Sequence, residues 1–404
     1  MMTLSLPDSP FHVPVRIPQY VRHLVTSSLL LLSLCPVASG NHDISIPLSE
    51  EGFAASIEPR LSETLKASNE AVTHHNLGLV LLSRQDLKSA ADEFRAAIRL
   101  SPDFSDAYHG LGLCLMKTGD IPGSIQQFRQ AIRLDPVYSL AHTNLALALE
   151  LDGETDAALE EYREAIRLRP DNAVAHNNLG ILLKSIGNID GAIAEYRLAI
   201  RSRPDSPPAH NNLGVALQAK GDLQAAILSY QEAFRLQAGA GAVLYALNLG
   251  MALQASGKVD GALGLYRTVV RLKPELAEAH YQLGTAWQIK QQPDHAIAEF
   301  QEAIRLRPAY ADAYAALGVA YQTKGDSDQA LTHLQQATKL HTEAALTHYK
   351  TGMKSLAKGK PRKAGQAFSE FLRLIPDNPD THDKIVTAKN MLNELAEPVP
   401  KDAP

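Results

Sequence analysis

Six histidines recur at equivalent places of a pattern whose period is 34 residues, and imidazole is a common metal ligand. Equivalent side chains of stacked helical repeats lie on the order of 10 Å apart, whereas metal ligands lie about 2 Å from one ion. These histidines therefore cannot share a metal, and we expect them to pack inside the fold with no cofactor bound. The six are His74, His142, His176, His210, His280 and His348.

A basic residue recurs with the same period and could in principle form a track for a polyanion. The alternative is a solvated cation near a helix C-terminus, where it stabilises the helix dipole. Neighbouring glutamates such as Glu164 and Glu232 would cancel most of its field. We therefore expect the second arrangement. The row is Arg99, Arg133, Arg167, Arg201, Arg235, Arg271, Arg305, Lys339 and Arg373.

A third row consists of side-chain amides, which is unexpected because asparagine is a poor residue in the middle of a helix. Each amide offers two N–H donors and one acceptor. It could hold the backbone of a bound peptide, or it could bond neighbouring repeats together, and both uses need the same chemistry. We predict peptide binding and keep the structural role as the alternative. The row is Asn76, Asn144, Asn178, Asn212, Asn248 and Gln282.

Recognisable catalytic motifs do not occur in the sequence. It has no phosphate-binding loop, no HExxH and no Gly-x-Ser-x-Gly. The net charge of −5 comes from interleaved charges without a basic–aromatic stripe, which argues against nucleic acid as the main partner. We predict that the chain is not an enzyme, has no small-molecule substrate, and binds protein or peptide.

These rows belong to nine repeats of 34 residues, the first of which begins at Ala71, with two extra residues between the fifth and the sixth. Each repeat has two amphipathic helices, a Leu-Gly pair at positions 7 and 8, and mostly alanine at position 20. An aromatic residue usually occupies position 24, and proline usually ends the repeat, which stops the second helix. The histidines lie at position 4, the amides at position 6 and the basic residues at position 29.

The pattern resembles the tetratricopeptide-repeat (TPR) family over residues 71–378. The resemblance implies an all-α, right-handed superhelix whose concave face is lined by the first helix of each repeat. The amide row is similar to the asparagine ladder in the TPR region of O-linked N-acetylglucosamine transferase, which grips extended peptide. The family's carboxylate clamp needs Lys and Arg at positions 2, 5 and 6, and only Lys350 fits. We therefore do not expect such a clamp.

The ends of the chain lack the repeat pattern. Residues 41–70 read as a linker with one short helix, and residues 397–404 as a disordered tail. Residues 379–396 predict a helix with Ile385, Ala388, Leu392 and Leu395 on one face, which would cap the last repeat. Between repeats five and six, residues 237–242 lack the usual proline and contain two glycines, so we predict a flexible junction.

The first 40 residues read as an export signal. Arg16 and Arg22 precede an apolar run over residues 24–35, and Ala38 and Gly40 fit a cleavage site before Asn41. The run is shorter than the ~20 residues that span a bilayer. We expect an exported protein, periplasmic, envelope-associated or secreted, with membrane contact only through an uncleaved signal.

The predicted function is a protein-interaction scaffold that binds extended peptide or a partner protein. Two alternatives stay open: a self-associating structural protein of the envelope, and an accessory subunit of an envelope glycosylation enzyme. The oligomeric state is open as well.

Overall fold

The computed structural model describes residues 68–237, 239–375 and 381–396, and the described elements are helices. The predicted signal and tail lie outside these residues. The chain divides into two compact units, one with the described residues through Ala252 and the other with those from Leu253 onward. The α-helices are α1 (Asn69–Ser83), α2 (Leu87–Leu100), α3 (Ser105–Thr118), α4 (Ile121–Leu134), α5 (Ser139–Asp152), α6 (Thr155–Leu168), α7 (Ala173–Ser185), α8 (Ile189–Ser202), α9 (Pro207–Lys220), α10 (Leu223–Leu236), α11 (Val243–Ala255), α12 (Val259–Leu272), α13 (Ala277–Ile289), α14 (Pro293–Leu306), α15 (Ala311–Lys324), α16 (Ser327–Ala357), α17 (Pro361–Leu374) and α18 (His382–Ala396).

Each hairpin turns at position 15, which takes a left-handed backbone conformation. Gly119 and Gly221 have φ values of 86° and 91°, which glycine adopts without steric cost. Gln85 and Gln291 stand at the same position with φ values of 63° and 55°. The next residue often caps the second helix, as Asp120 does by accepting from the Gly123 backbone N–H. The turn geometry is therefore imposed by the hairpin even where glycine is absent.

Helix packing within a repeat depends on small residues at positions 8 and 20. A Cβ added at Gly112 would lie 2.6 Å from the Phe128 ring, and one at Gly180 would lie 2.6 Å from the Tyr196 ring. Ala158 and Ala192 at position 20 are fully buried. The aromatic residue at position 24 thus fills the space that the glycine leaves. The predicted all-α solenoid of helix-turn-helix repeats is confirmed.

One predicted turn is missing from the second unit. Helix α16 runs for 31 residues from Ser327 to Ala357, so it joins the second helix of repeat eight to the first helix of repeat nine. Most other repeats end in proline, whose ring and missing N–H stop a helix. Thr342 stands at that place and donates its hydroxyl to the Thr338 carbonyl within the helix. The expected break is absent because nothing in the sequence enforces it.

The junction between repeats five and six contains a short helix, and the last helix packs against repeat nine. Gly239–Ala242 form a short 3₁₀ helix, with Gly239 at φ 65°; the flexibility of this junction stays a prediction. Helix α18 buries Ile385 and Ala388 in a cluster with Phe368 and Phe371. Leu392 and Leu395 pack against the same cluster.

Candidate peptide-binding face

The first helices of neighbouring repeats approach one another, which defines the inner face of the first unit. Helices α1, α3, α5, α7 and α9 contact each other in sequence, while the second helices α2, α4, α6, α8 and α10 approach one another less closely. On each first helix, positions 2, 6, 9 and 13 form one stripe because they are separated by three or four residues. The predicted amide row therefore lies in the middle of this inner face.

Apolar side chains flank the amides on both sides. In repeats three to six, positions 2 and 9 are uncharged, and most of these side chains are half-buried. Leu244 is the exception at 55% exposure. An extended ligand would meet two apolar rows with an amide row between them. The residues are Leu140, Val174, Pro208 and Leu244 at position 2, and Leu147, Ile181, Val215 and Met251 at position 9.

Three amides of the row form hydrogen bonds between repeats. The side-chain nitrogen of Asn212 donates to the Asn177 oxygen at 3.0 Å, and that of Asn248 donates to the Asn211 oxygen at 2.7 Å. Asn144 donates to the Nε2 atom of His109 at 2.7 Å. Each bond joins position 6 of one repeat to position 5 of the preceding repeat. These three amides therefore bond neighbouring repeats, and the carbonyl oxygen of each amide makes no further bond within the described part of the chain.

The His109 imidazole is neutral in this arrangement. Burial lowers the pKa of His109 to about 3, with a smaller contribution from nearby His75. Its Nε2 atom accepts from Asn144, so its Nδ1–H faces the Tyr138 hydroxyl oxygen at 3.3 Å. The neutral ring, with its proton on Nδ1, therefore connects the first helices α3 and α5.

The other three amides lack this bond, and position 5 of the preceding repeat explains two of them. Gln282 follows a repeat with Leu247 at position 5, which has no acceptor, and bonds Glu278 of its own helix instead. Asn178 follows Thr143, whose hydroxyl donates to the Ser139 carbonyl and accepts from Asn172, and Asn178 lies in hydrogen-bonding reach of the Tyr162 hydroxyl. Asn76 belongs to the first repeat and is exposed. The sequence prediction overlooked position 5, although its polar residues precede four of the amides and bond three of them.

Position 12 of the first helix, which lies outside the stripe, carries polar groups that contact buried tyrosines. The Tyr162 hydroxyl donates to Glu150 at 3.2 Å in repeat three, and the Tyr230 hydroxyl donates to Gln218 at 3.1 Å in repeat five. Burial raises the pKa of Glu150, although the bond from Tyr162 opposes the shift. Repeat four differs, because Tyr196 is fully buried and its hydroxyl has no hydrogen-bond partner in the described structure.

The position-4 histidines are held by hydrogen bonds rather than by packing alone. His142 contacts Glu161 at 2.6 Å and the Pro136 carbonyl at 3.2 Å; His176 contacts Glu195 at 2.7 Å and the Pro170 carbonyl at 3.0 Å. Burial opposes charge on both rings, but these bonds raise their pKa above the ordinary value. The sequence prediction missed the glutamate at position 23, which accompanies the histidine in four repeats.

The remaining groups that could do chemistry are occupied or buried. Arg167, Arg235 and Arg305 each bond a glutamate three residues earlier, and these guanidinium groups are exposed. Burial raises the pKa of the Cys114 thiol to about 12, so it is a poor nucleophile. Across the residues that the structure describes, no three His, Cys, Asp or Glu side chains are placed to hold a metal ion. None of the described helices is long and apolar enough to cross a membrane.

Sequence profiles described as tetratricopeptide repeat match residues 75–136, 111–173, 315–379, 161–194 and 207–239. A profile described as TPR repeat matches residues 182–221 and 289–325. The chain belongs to the tetratricopeptide-repeat family. TPR proteins generally mediate protein–protein interactions and are typically non-catalytic.

Solved structures similar to this TPR chain include YrrB, described as a TPR protein with an unusual peptide-binding site. It is 24% identical over 45% of this chain and 93% of its own, with a TM-score of 0.39. MamA from Desulfovibrio magneticus is 24% identical over 42% of this chain and 94% of its own, with a TM-score of 0.39. PilF from Pseudomonas aeruginosa is 22% identical over 55% of this chain and 96% of its own, with a TM-score of 0.46. No curated protein matched the sequence.

Proposed function

We propose that this TPR chain is a non-enzymatic scaffold that binds an extended segment of another protein along the inner face of repeats three to six. The observation that carries the proposal is the half-buried stripe of each first helix, with apolar side chains at positions 2 and 9 around a central amide. Covering the apolar rows removes them from water. The amide oxygens at position 6 can accept from the ligand's backbone N–H groups.

The amides have two compatible tasks in this proposal. Their nitrogens bond the preceding repeat in Asn144, Asn212 and Asn248, which holds each amide in one orientation. An amide fixed in this way loses little further side-chain entropy when it binds a ligand. The inter-repeat bonds therefore prepare the face for binding rather than compete with it.

Selection from a random linear peptide library against the full chain would test the proposal. We expect selected peptides to lose at least tenfold in affinity when Val174→Glu places a charge in the stripe, because a carboxylate there would remain unpaired against apolar ligand groups. Ile186→Glu is the matched control, since Ile186 lies at the end of the same helix, outside the stripe, and is 50% exposed. Failure to select any peptide, or equal effects of the two variants, would contradict the proposal.

A further inference from the structure

Repeat four breaks a pattern that its two neighbours share. In repeats three and five, the position-12 residue offers a side-chain oxygen that accepts from the tyrosine hydroxyl below it, as Glu150 and Gln218 do. Repeat four has Lys184 at this position, and an ammonium group has no acceptor. The Tyr196 hydroxyl is therefore left without the partner that Tyr162 and Tyr230 have.

Lys184 is itself without a charge partner. Its side chain is half-buried, and no carboxylate lies within 4 Å of its ammonium group in the described part of the chain. Burial lowers the pKa of Lys184, because no neighbouring charge offsets the loss of water. The lysines at the ends of other first helices differ, since Lys220 bonds Asp190 at 2.6 Å.

Two donors without partners thus occur in one repeat, at the two positions whose side chains bond each other in repeats three and five. A carboxylate accepts hydrogen bonds only and would satisfy the Lys184 ammonium. The Tyr196 hydroxyl is buried from solvent, so it can share that carboxylate only if the Lys184 side chain moves. A neutral carbonyl could accept from Lys184 but would leave the lysine charge uncompensated. We propose that Lys184 forms a subsite for the side-chain carboxylate of a bound peptide's Asp or Glu. This inference rests on the proposed peptide-binding function.

The surroundings restrict both the ligand and its register. Ile181 lies three residues before Lys184 on the same face of α7. Val174 and Val215 also belong to the stripe and offer apolar surface to a ligand. The Glu150 carboxylate on the adjacent repeat contributes to raising the pKa of Tyr196, so a bound acid would be attracted by Lys184 and repelled by Glu150. The acidic residue of the ligand therefore faces repeat four, with apolar residues on either side of it.

Labelled peptides with Val-Thr-Val on each side of one central residue provide the probe. Full chain in buffer near physiological salt would be titrated with peptides that carry Asp, Asn or Lys at the centre, followed by fluorescence polarisation. We expect the Asp peptide to bind about tenfold more tightly than the Asn peptide, as charge-assisted hydrogen bonds are stronger than neutral ones. Lys184→Gln should abolish this preference and Lys184→Arg should retain most of it.

The variants also separate the subsite from folding and from general electrostatics. Lys184→Gln gives repeat four the Tyr–Gln pair of repeat five, so it should fold at least as stably as the wild type. Lys220→Gln removes the same charge from an exposed lysine and should leave the preference intact. Binding of all three peptides without an acidic preference, or a preference that survives Lys184→Gln, overturns the subsite while the scaffold function stands. If neither these probes nor any library peptide bind, both proposals fail.

Discussion

The bond between Asn212 and Asn177 can be measured as a coupling free energy between repeats four and five. Replacing either residue with alanine removes the 3.0 Å hydrogen bond and leaves the other amide without this partner. A neutral hydrogen bond contributes about 1 kcal/mol net, while alanine regains up to about 0.7 kcal/mol of helix propensity. We therefore expect each single variant to be slightly destabilised, and the pair to show a coupling of about 1 kcal/mol.

Urea denaturation followed by circular dichroism would supply the four free energies of this cycle, fitted with a nearest-neighbour description because repeat arrays need not unfold in one step. Asn76→Ala is the control, since Asn76 occupies the same repeat position but is exposed; it should leave stability unchanged or raise it by up to about 0.7 kcal/mol. A coupling within about 0.3 kcal/mol of zero would mean that the inter-repeat bond does not contribute.

The same variants separate the structural role of the amides from ligand binding. Asn177→Ala and Asn212→Ala both remove the inter-repeat bond, but only Asn212→Ala removes the position-6 oxygen proposed to accept from a ligand N–H. If the face binds peptide as proposed, Asn212→Ala should weaken affinity several-fold more than Asn177→Ala. Equal effects on affinity would assign the amide row to repeat packing alone.

Three further predictions concern pH, backbone strain and export. Burial lowers the pKa of His109 to about 3, so below pH ~6.5 the folded chain binds fewer protons than the unfolded chain and loses stability as the pH falls. We expect a cost of roughly 2–3 kcal/mol between pH 6 and pH 4; His109→Asn should flatten the measured pH dependence by that amount, and an unchanged slope would contradict it. Gln85→Gly should raise the melting temperature by relieving about 1 kcal/mol of left-handed strain, whereas Arg84→Gly, at φ −86°, should lower it. Protein isolated from its native host should begin at Asn41, and intact residues 1–40 on the soluble protein would refute the export signal.

The fold was predictable because its determinants are local and repeated nine times. The αL turn, the aromatic residue at position 24 and the alanine at position 20 each lie within one repeat. They recur every 34 residues and can therefore be recognised in the sequence. The continuous helix α16 was not predicted, although Thr342 stands where proline usually ends the helix.

The inner face was less predictable because its decisive contacts cross from one repeat to the next. Asn212 and Asn177 are 35 residues apart, and Asn248 and Asn211 are 37 apart across the two-residue insertion. Such pairs become visible only when adjacent repeats are aligned with an offset of one position. The role of Lys184 could not be predicted because this residue departs from the pattern in one repeat only. Its lack of a partner is recognised by comparison with Glu150 and Gln218, which accept hydrogen bonds from tyrosines in the adjacent repeats.

The bonds between position 6 and the preceding position 5 also bear on how such a gene can change. Arrays of this kind gain and lose whole units by unequal recombination, which preserves the reading frame but replaces a neighbour. Loss of residues 207–242 would place Asn177 before Asn248 and recreate an amide pair. Loss of residues 173–206 would place Thr143 before Asn212, and the Thr143 hydroxyl already donates to Ser139 and accepts from Asn172. Units that are interchangeable in length and core are therefore not interchangeable in order.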